Sequence, residues 1–289
     1  MHDVFFFTDL HGAMPLFQAI MEWIDQQDKE AMIIYGGDAC DRGQHGITIM
    51  EALLDDPRVI YLKGNHEDLF VKAARAIIDA GYPQKMYTID EAAHILDYMY
   101  AQDDVWLHIQ NGGLPTLRDW IINGMDTQFV DLIDNLPITF RHNVCDFCHA
   151  GGNPKDFERV LNAENDMIHP SAEAIKNMLW DRNCFGLGWF KDRICVHGHT
   201  PTVHLPSKFY GSKNKSEANI HPAWWYGPFE PKKFPGLKIN MDTGATWGGR
   251  IWVLNCLTLK ATSFFDLSIN SKDTNHIIKI GQENYFIRQ

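Results

Sequence analysis

The chain has no excess of basic residues and few cysteines, and both shortages exclude classes of protein. It carries 26 lysines and arginines against 37 aspartates and glutamates, a formal charge of −11 at pH 7. This balance argues against unaided binding to a nucleic-acid polymer, whereas clustered acidic residues can hold metal ions. The six cysteines in 289 residues are too few and too scattered for a disulfide framework, so we expect reduced thiols. Cys145 and Cys148 form a single Cys-x-x-Cys with no second pair, which favours packing on a strand over a zinc site.

Long hydrophobic runs are also missing. No stretch approaches the roughly 18 to 20 consecutive apolar residues of a membrane span. The N-terminus lacks the basic start of a signal peptide, because Asp3 and Asp9 flank Val4 to Phe7. We therefore expect a soluble cytoplasmic protein that does not bind membranes. A hydrophobic content of 45% is enough for a sizeable core, and the length fits one large α/β domain or two small ones.

The central feature of the sequence is the run Gly-Gly-Asp-Ala-Cys-Asp-Arg-Gly from Gly36 to Gly43. It follows residues 31–35, a short apolar run typical of a strand buried on both faces, and so lies where that strand ends. The glycines permit a tight turn. The carboxylates of Asp38 and Asp41 and the guanidinium of Arg42 are costly to hold together unless a cation or an anion lies among them. The alternative is a solvated Asp-Arg turn.

The neighbouring predicted strands end in similar residues. Residues 4–8 run into Asp9 and His11, and residues 59–62 are followed by Asn65, His66 and Glu67. Asp9 and His11 share a face of an extended segment, as two ligands of one metal should, although such a pair alone is more often a surface feature. Parallel strands deliver their exit loops to the same edge of a sheet. Three matched loops therefore favour a metal site over solvated turns.

Helical patterns separate these strands and dominate the next part of the chain. Residues 15–26 and 46–54 predict helices between strands, which is the α/β pattern. We interpret residues from about 71 to 135 as a helical insertion or cap, because helical patterns recur there between glycine and proline breaks. The predicted helices cover residues 71–78, 91–100 and 128–136. His94 and His108 have no ligand partner at useful spacing, so we expect surface or packing histidines.

Two more strands end in histidine in the second half of the chain. A predicted hairpin of residues 138–140 and 144–148 runs into His149, and a strand at 193–196 runs into His197 and His199. Each histidine alone could be a satisfied core residue, but together with the earlier loops His149 and His199 become candidate ligands. Three final strands are expected to be antiparallel and to close a second sheet. They are Lys238–Met241, Arg250–Leu254 and Ala261–Phe265.

An aromatic segment from about 204 to 236 reads as a loop inserted before these last strands. Loops of this length usually form lids or binding loops, or are disordered. Its aromatic residues either anchor the loop to the body of the protein or bind substrate. They are Trp224, Trp225 and Tyr226.

Five motifs, taken in order, resemble those of the calcineurin-like metallophosphoesterases. They are Asp9-x-His11-Gly12, Gly37-Asp38-x-x-Asp41-Arg42-Gly43, Gly64-Asn65-His66-Glu67, His149-Ala150-Gly151 and Gly198-His199-Thr200. Within that superfamily the chain resembles the bacterial and phage serine/threonine protein phosphatases, which are similar to diadenosine tetraphosphatases. Asn111-Gly112-Gly113, Trp180-Asp181-Arg182 and Asp242-Thr243-Gly244 add to this likeness. The resemblance covers nearly the whole chain and implies a single catalytic domain, a central β-sandwich of two mixed sheets flanked by helices.

The resemblance also implies a centre of two divalent metal ions. One metal would be held by Asp9, His11 and Asp38, and the other by Asp38, Asn65, His149 and His199. His66 would pair with Asp41 near the leaving group, while Arg42 and Arg182 would bind phosphate oxygens. His197 departs from the usual apolar or small residue, and we expect it beside the ligands, with ligation as the alternative.

These residue types suit phosphate ester hydrolysis. Oxygen ligands with three imidazoles favour manganese, our first choice, or iron or zinc over magnesium and calcium. Two ions roughly 3.5 to 4 Å apart would lower the pKa of a bridging water towards about 7 for direct attack on phosphorus.

Three functions remain open. The first is hydrolysis of phosphoserine and phosphothreonine in proteins, or of a small phosphoester. The second is hydrolysis of dinucleoside polyphosphates or other nucleotides. The third is an inactive metal-binding scaffold acting through the aromatic segment, which is disfavoured because neither a ligand nor His66 is missing.

Overall fold

The computed structural model describes residues 2–184, 188–205, 223–226, 236–247, 250–266 and 280–286. Eleven strands and nine α-helices lie within these ranges. In chain order they are β1 (Val4–Phe7), α1 (Met14–Gln27), β2 (Met32–Tyr35), α2 (Gly46–Asp55), β3 (Val59–Tyr61), α3 (Asn65–Asp79), α4 (Ile89–Met99), α5 (Asp103–Gln110), α6 (Leu114–Ile122), α7 (Thr127–Asp134), β4 (Thr139–His142), β5 (Cys145–Cys148), α8 (Pro154–Asn165), α9 (Ala172–Trp180), β6 (Ile194–His197), β7 (Ala223–Tyr226), β8 (Leu237–Asn240), β9 (Ile251–Asn255), β10 (Lys260–Asp266) and β11 (Ile280–Phe286).

The first sheet has six strands in the order β11-β10-β9-β1-β2-β3. Strands β1, β2 and β3 are parallel, whereas β9 is antiparallel to β1 and pairs Leu254 with Phe6. The prediction that residues 250–254 and 261–265 close the second sheet is therefore wrong. Both faces of β9 are apolar, with Ile251 and Val253 on one side and Trp252 and Leu254 on the other. Such a strand suits a central position, but its local pattern does not reveal which sheet it joins.

The second sheet has five strands in the order β4-β5-β6-β8-β7. Its central strands β5, β6 and β8 are parallel, and the edge strands β4 and β7 are antiparallel to their neighbours. The predicted hairpin is confirmed as β4 and β5. Residues 223–226, predicted as part of a loop, form β7, in which Trp224 is in register with Ile239. Most of the predicted aromatic segment lies outside the described residues.

The two sheets pack face to face, which confirms the predicted sandwich. Strand β1 shows why, because its side chains alternate between two buried environments. Val4 and Phe6 face the second sheet, where the rings of Phe6 and Phe147 stack 5.6 Å apart. Phe5 and Phe7 face the helices instead, and Phe5 contacts Trp23 of α1 edge to face. Removing an aromatic ring of this kind from water contributes about 1.5 to 3 kcal/mol to folding.

Helices α8 and α9 cover the outer face of the second sheet, which includes a buried lysine. The ammonium of Lys238 donates to the carbonyls of Gly151, Gly152 and Cys184 at 2.7 to 3.3 Å. These bonds connect the loop after β5 to the segment after α9. Cys145 and Cys148 are buried on β5, as expected for packing, and all six cysteines are free thiols.

The helical region contains two helices that the sequence did not predict, α5 and α6. Both are short, and glycine and proline breaks border α6 and the C-terminal end of α5. Helix α3 begins at Asn65 rather than Val71, and it packs against α5 and α7. Within the described ranges no helix combines the length and the apolar character needed to cross a membrane.

Candidate metal centre

The strand ends deliver the predicted ligands to one buried site. Asp9 and His11 follow β1, Asp38 follows β2, and Asn65 opens α3. All six predicted ligands are buried; the remaining two are His149 and His199. Eleven described residues other than glycine have a positive φ angle, and six belong to this centre: Asp9, His11, Asp38, Asp41, Arg42 and His199. Strain of this kind concentrates at functional sites, where packing holds it in place.

Asp38 stands between two groups of imidazoles. Its Oδ1 lies 3.3 Å from Nε2 of His149, and its Oδ2 lies 3.7 Å from Nε2 of His11. Burial raises the pKa of Asp38, but the charges of His149 and His66 outweigh it, so the pKa falls well below its usual value. The carboxylate is ionised and offers one oxygen to each side, as a bridging ligand would.

The second predicted metal set converges on the side-chain oxygen of Asn65. Nε2 of His149 lies 2.9 Å from this oxygen and Nδ1 of His199 lies 2.8 Å from it. Potential ligand atoms of Asp38, His149 and His199 all lie within 4.8 Å of one another. The four residues predicted for metal two are thus brought together.

The hydrogen bonds of His149 indicate whether a cation fits at this position. Its Nδ1 lies 2.8 Å from the carbonyl of Gly36, so Nδ1 carries a proton and donates it. A neutral imidazole has only one N–H, and Nε2 would then direct a lone pair at the oxygen of Asn65. Burial lowers the pKa of His149, but the charge of Asp38 outweighs it and raises the pKa to about 10. The charge of Asp38 therefore favours a positive charge beside Nε2, which either a proton or a metal ion would supply.

His11, unlike His149, favours the neutral form of its ring. Its Nδ1 lies 2.9 Å from the carbonyl of Cys40, which leaves the lone pair of Nε2 facing Asp38. Burial, followed by the charges of His66 and Arg42, lowers the pKa of His11 to about 3. A hydrogen bond at the outer nitrogen is the usual way in which proteins orient a metal-binding imidazole.

Asp9 lies at the edge of this arrangement. The group within 4.8 Å at the first metal position is His11, Asp38 and His66, without Asp9. The carboxylate of Asp9 accepts from the hydroxyl of Thr8 at 2.7 Å and the backbone N–H of His199 at 3.2 Å. Burial raises the pKa of Asp9 to about 6, and the charge of Asp38 adds to the shift. A nearby cation would relieve this concentration of negative charge.

The predicted catalytic pair is present beside the metal ligands. Nδ1 of His66 lies 2.7 Å from Oδ2 of Asp41, and Nη2 of Arg42 lies 3.2 Å from Nε2 of His66. Burial lowers the pKa of His66, but the charges of Asp38 and Asp41 outweigh it and raise the pKa. Arg182 is exposed, with Nη1 3.4 Å from both the carbonyl of His199 and the hydroxyl of Thr200. Both arginines therefore reach the site.

Glu67 is a structural member of the centre to which the sequence assigned no role. Its buried carboxylate accepts from the backbone N–H groups of Asp38, Ala39 and Gly64, each at 2.8 Å, and from the hydroxyl of Tyr61. These hydrogen bonds therefore hold the backbone around Asp38 in place. The sequence feature that could have indicated this role is the position of Glu67 directly after Asn65 and His66.

His108 was predicted to be a surface or packing histidine; it is a buried packing residue, but it also has a polar partner that the sequence did not indicate. It is fully buried, and its Nε2 lies 2.8 and 2.9 Å from the two carboxylate oxygens of Asp41. Its partner lies 67 residues earlier, so spacing could not reveal the pair. The closest sequence feature that could have drawn attention to His108 was the Asn-Gly-Gly motif that starts at Asn111. His94 is exposed, in agreement with the prediction.

Two other predictions concern the second sheet. His197 ends β6, is buried, and lies outside both groups of potential metal ligands found among the described residues. Trp224, Trp225 and Tyr226 lie on the edge strand β7. Their role in substrate binding stays a prediction.

No curated protein matches the chain in a sequence comparison. Many solved structures are similar to it, among them three at low identity. A candidate diadenosine tetraphosphatase is 14% identical over 91% of this chain and 92% of that chain, with a TM-score of 0.45. A cold-active protein-tyrosine phosphatase from a Shewanella species is 15% identical over 92% and 78%, with a TM-score of 0.48. A serine/threonine phosphatase from Saccharomyces cerevisiae is 14% identical over 100% and 81%, with a TM-score of 0.44.

A family model gives the decisive comparison. The model for calcineurin-like phosphoesterases matches residues 2–234. That range includes all six buried candidate ligands, the His66–Asp41 pair and both arginines. The chain belongs to the calcineurin-like phosphoesterase family.

Proposed function

We propose that the protein is a metal-dependent phosphomonoesterase that removes phosphate from phosphoserine and phosphothreonine in proteins. The observation that carries the proposal is the position of Asp38. Its two oxygens face separate imidazole groups, and His66, whose Nε2 lies 3.9 Å from Oδ2 of Asp38, contacts both Asp41 and Arg42. This places candidate groups for metal binding, phosphate binding and proton donation at one point.

The donor set suits two divalent ions. The first would be held by Asp9, His11 and Asp38, and the second by Asp38, Asn65, His149 and His199. Oxygen donors with three imidazoles favour manganese, iron or zinc, and we propose manganese. When bound, two such ions supply an acidified water and a positive clamp for the phosphoryl group.

The chain's own residues supply the remaining steps. Arg42 and Arg182 each present a planar fork that can donate to non-bridging phosphate oxygens. As water attacks phosphorus, the bond to the leaving oxygen breaks and its electron pair stays on that oxygen. His66 then donates the Nε2 proton to it, while its Nδ1–H stays bonded to Asp41. The raised pKa of His66 favours protonation of Nε2 once Arg42, whose Nη2 lies 3.2 Å from that nitrogen, donates to phosphate instead.

A groove beside the centre supports a protein substrate. Its volume is about 520 Å³, and it lies between α3, α5 and α9. Apolar side chains line most of it, with lysines and aspartates around them: Leu69, Leu107, Ile175, Leu179, Trp180, Lys72, Lys176, Asp68 and Asp104. At one end the rings of Trp180 and His199 lie 6.3 Å apart, edge to face. Residues flanking a phosphoserine could occupy this groove while the phosphate reaches the centre.

Metal dependence is tested first. Hydrolysis of p-nitrophenyl phosphate should stop on treatment with a chelator and return with manganese. Full activity in protein that elemental analysis shows to be metal-free would refute the proposal.

Substrate class is tested by comparing kcat/KM for a phosphoserine peptide, a phosphotyrosine peptide, diadenosine tetraphosphate and a cyclic nucleotide. The phosphoserine peptide should be preferred, and Leu107→Ala should lower its kcat/KM without changing hydrolysis of p-nitrophenyl phosphate. Leu132→Ala is the matched control, since Leu132 is exposed on α7 and does not line the groove. The nucleotide function replaces this proposal if diadenosine tetraphosphate is preferred by orders of magnitude and Trp224→Ala with Trp225→Ala removes that preference.

A further inference from the structure

Asp41 is held between two histidines. Oδ2 of Asp41 lies 2.7 Å from Nδ1 of His66 and 2.8 Å from Nε2 of His108, while Oδ1 lies 2.9 Å from the same nitrogen of His108. All three side chains are buried. Burial raises the pKa of Asp41, but the charge and hydrogen bonds of His108 and His66 outweigh it and lower the pKa. The carboxylate therefore stays ionised and accepts from both rings.

The hydrogen-bonding role of His108 follows from the surroundings of its two nitrogens. Nδ1 is buried and has no hydrogen-bond partner in the part of the chain that the structure describes. A neutral imidazole carries one N–H, and only Nε2 has an acceptor within reach, the carboxylate of Asp41. His108 thus donates from Nε2 to the carboxylate of Asp41, and its other nitrogen contacts no group among the described residues to which it could pass a proton.

The turn between α5 and α6 is built to hold this ring against Asp41. The backbone of Gly113 lies against the ring of His108. A Cβ atom at position 113 would lie 2.2 Å from Cδ2 of His108, so only glycine fits there. The same turn binds the backbone of the Asp41 loop. The N–H of Asp41 donates to the hydroxyl of Thr116 at 2.9 Å, and the N–H of Arg42 donates to the carbonyl of Gly112 at 2.9 Å.

We infer that His108 is a positioning residue of the proposed phosphoesterase, which orients the Asp41 carboxylate so that it holds His66 ready to protonate the leaving oxygen. The inference rests on the proposed function. Asp41 has a φ of +71°, in the left-handed region, and such a backbone conformation persists only where surrounding contacts hold it in place. His108 supplies the second N–H donor and leaves Oδ2 in place for Nδ1–H of His66.

The kinetic test compares two variants at this position. His108→Phe removes the donor and retains a planar ring, whereas His108→Gln retains an N–H donor at a similar distance from the backbone. Because partners of this kind typically alter activity 10- to 100-fold, His108→Phe should lower kcat for an alkyl phosphate by about that factor. Hydrolysis of p-nitrophenyl phosphate, whose leaving group needs little protonation, should change far less. His108→Gln should restore most of the loss, and His94→Phe, at an exposed position, should have no effect.

A double-mutant cycle separates positioning from general support of the fold. If His108 acts through His66, then His108→Phe should cause no further loss of kcat in the His66→Asn background. Equal losses of kcat in both backgrounds, or equal losses on alkyl and aryl phosphates, would overturn the inference. Metal content and thermal unfolding, measured on each variant, identify any protein that has simply lost its structure.

A spectroscopic test needs no substrate and so stands apart from the proposed function. In protein with ¹⁵N-labelled histidine, Nδ1–H of His66 should give a downfield proton signal typical of an imidazole bound to a carboxylate. The signal should be lost or shifted in His108→Phe and retained in His108→Gln. An unchanged signal in folded His108→Phe protein would overturn the inference even if the chain proved to be no phosphoesterase.

Discussion

Asp38 and Asp41 are buried carboxylates on one loop, and each faces more than one histidine, yet they are suited to different partners. The imidazole nitrogens around Asp38 lie 3.3 and 3.7 Å from its oxygens. Those around Asp41 lie 2.7 to 2.9 Å away. The shorter distances fit a shared proton, and the longer ones leave room for a cation. The two sites therefore divide the proposed work into metal binding and proton donation.

Backbone carbonyls cause this difference. The carbonyls of Cys40 and Gly36 accept the N–H groups of His11 and His149, so these rings turn their other nitrogens towards Asp38. His66 and His108 instead place a nitrogen within hydrogen-bond distance of Asp41. Whether a cluster of carboxylates and imidazoles binds a metal is thus decided by which nitrogen of each ring the backbone occupies.

Of the substitutions that test the difference between the Asp38 and Asp41 sites, Asp38→Asn should have the largest effect. Asp38→Asn should weaken both metal sites, because this residue is proposed to bridge them. Metal ions supply several kcal/mol of transition-state stabilisation, so the rate should fall about 10³-fold or more. Elemental analysis and hydrolysis of p-nitrophenyl phosphate measure the two effects. The control is Asp192→Asn, at an exposed aspartate that also has a positive φ angle. Two bound metals in Asp38→Asn would contradict the bridging role.

His66→Asn should affect proton donation alone. Metal content should be unchanged, whereas the rate with an alkyl phosphate should fall about 10²- to 10³-fold, within the range for general acids. The rate with p-nitrophenyl phosphate should fall much less, because its leaving group is stable without a proton. Parallel rate measurements on the two substrates check this. Equal losses would show that His66 is not the acid.

The difference between the two sites also explains what the sequence could predict. Asp9, His11, Asp38 and Asn65 follow parallel strands directly, so their convergence follows from strand order. His108 reaches Asp41 from α5, a helix of only 8 residues whose sequence showed no clear helical pattern. Its role depends on tertiary packing, which local sequence does not encode.

The two sheets show the same limit. The pattern of residues 251–255 predicted a strand, and the strand exists as β9. Its neighbour is β1, almost the whole chain away, and pairing across such a distance depends on which sheet edge is free. Strand identity is a local property, while sheet membership is a global one.

Glu67→Gln tests the Asp38 site without changing a proposed metal ligand. The substituted amide has one acceptor oxygen, so it cannot accept all of the N–H groups of Asp38, Ala39 and Gly64. The backbone carrying Asp38 should loosen, and metal affinity should fall about 10- to 100-fold, as for other residues that support metal ligands. Titration of metal-free protein with manganese measures this. Tyr61→Phe, which removes only the hydroxyl that donates to Glu67, is the milder control. Unchanged affinity in Glu67→Gln would show that Asp38 is held without it.

Thr116→Val should produce the smallest effect, and only at Asp41. The hydroxyl of Thr116 accepts the backbone N–H of Asp41, and valine has nearly the same shape without that acceptor. The buried N–H left unpaired should lower the free energy of unfolding by about 1 to 3 kcal/mol. Manganese affinity should stay unchanged, because Thr116 contacts none of the proposed ligands, while the rate with an alkyl phosphate should fall only modestly. Thr116→Ser keeps the hydroxyl and should behave like the unchanged protein. A loss of manganese affinity in Thr116→Val, measured by the same titration as for Glu67→Gln, would mean that the two carboxylate sites are not independent.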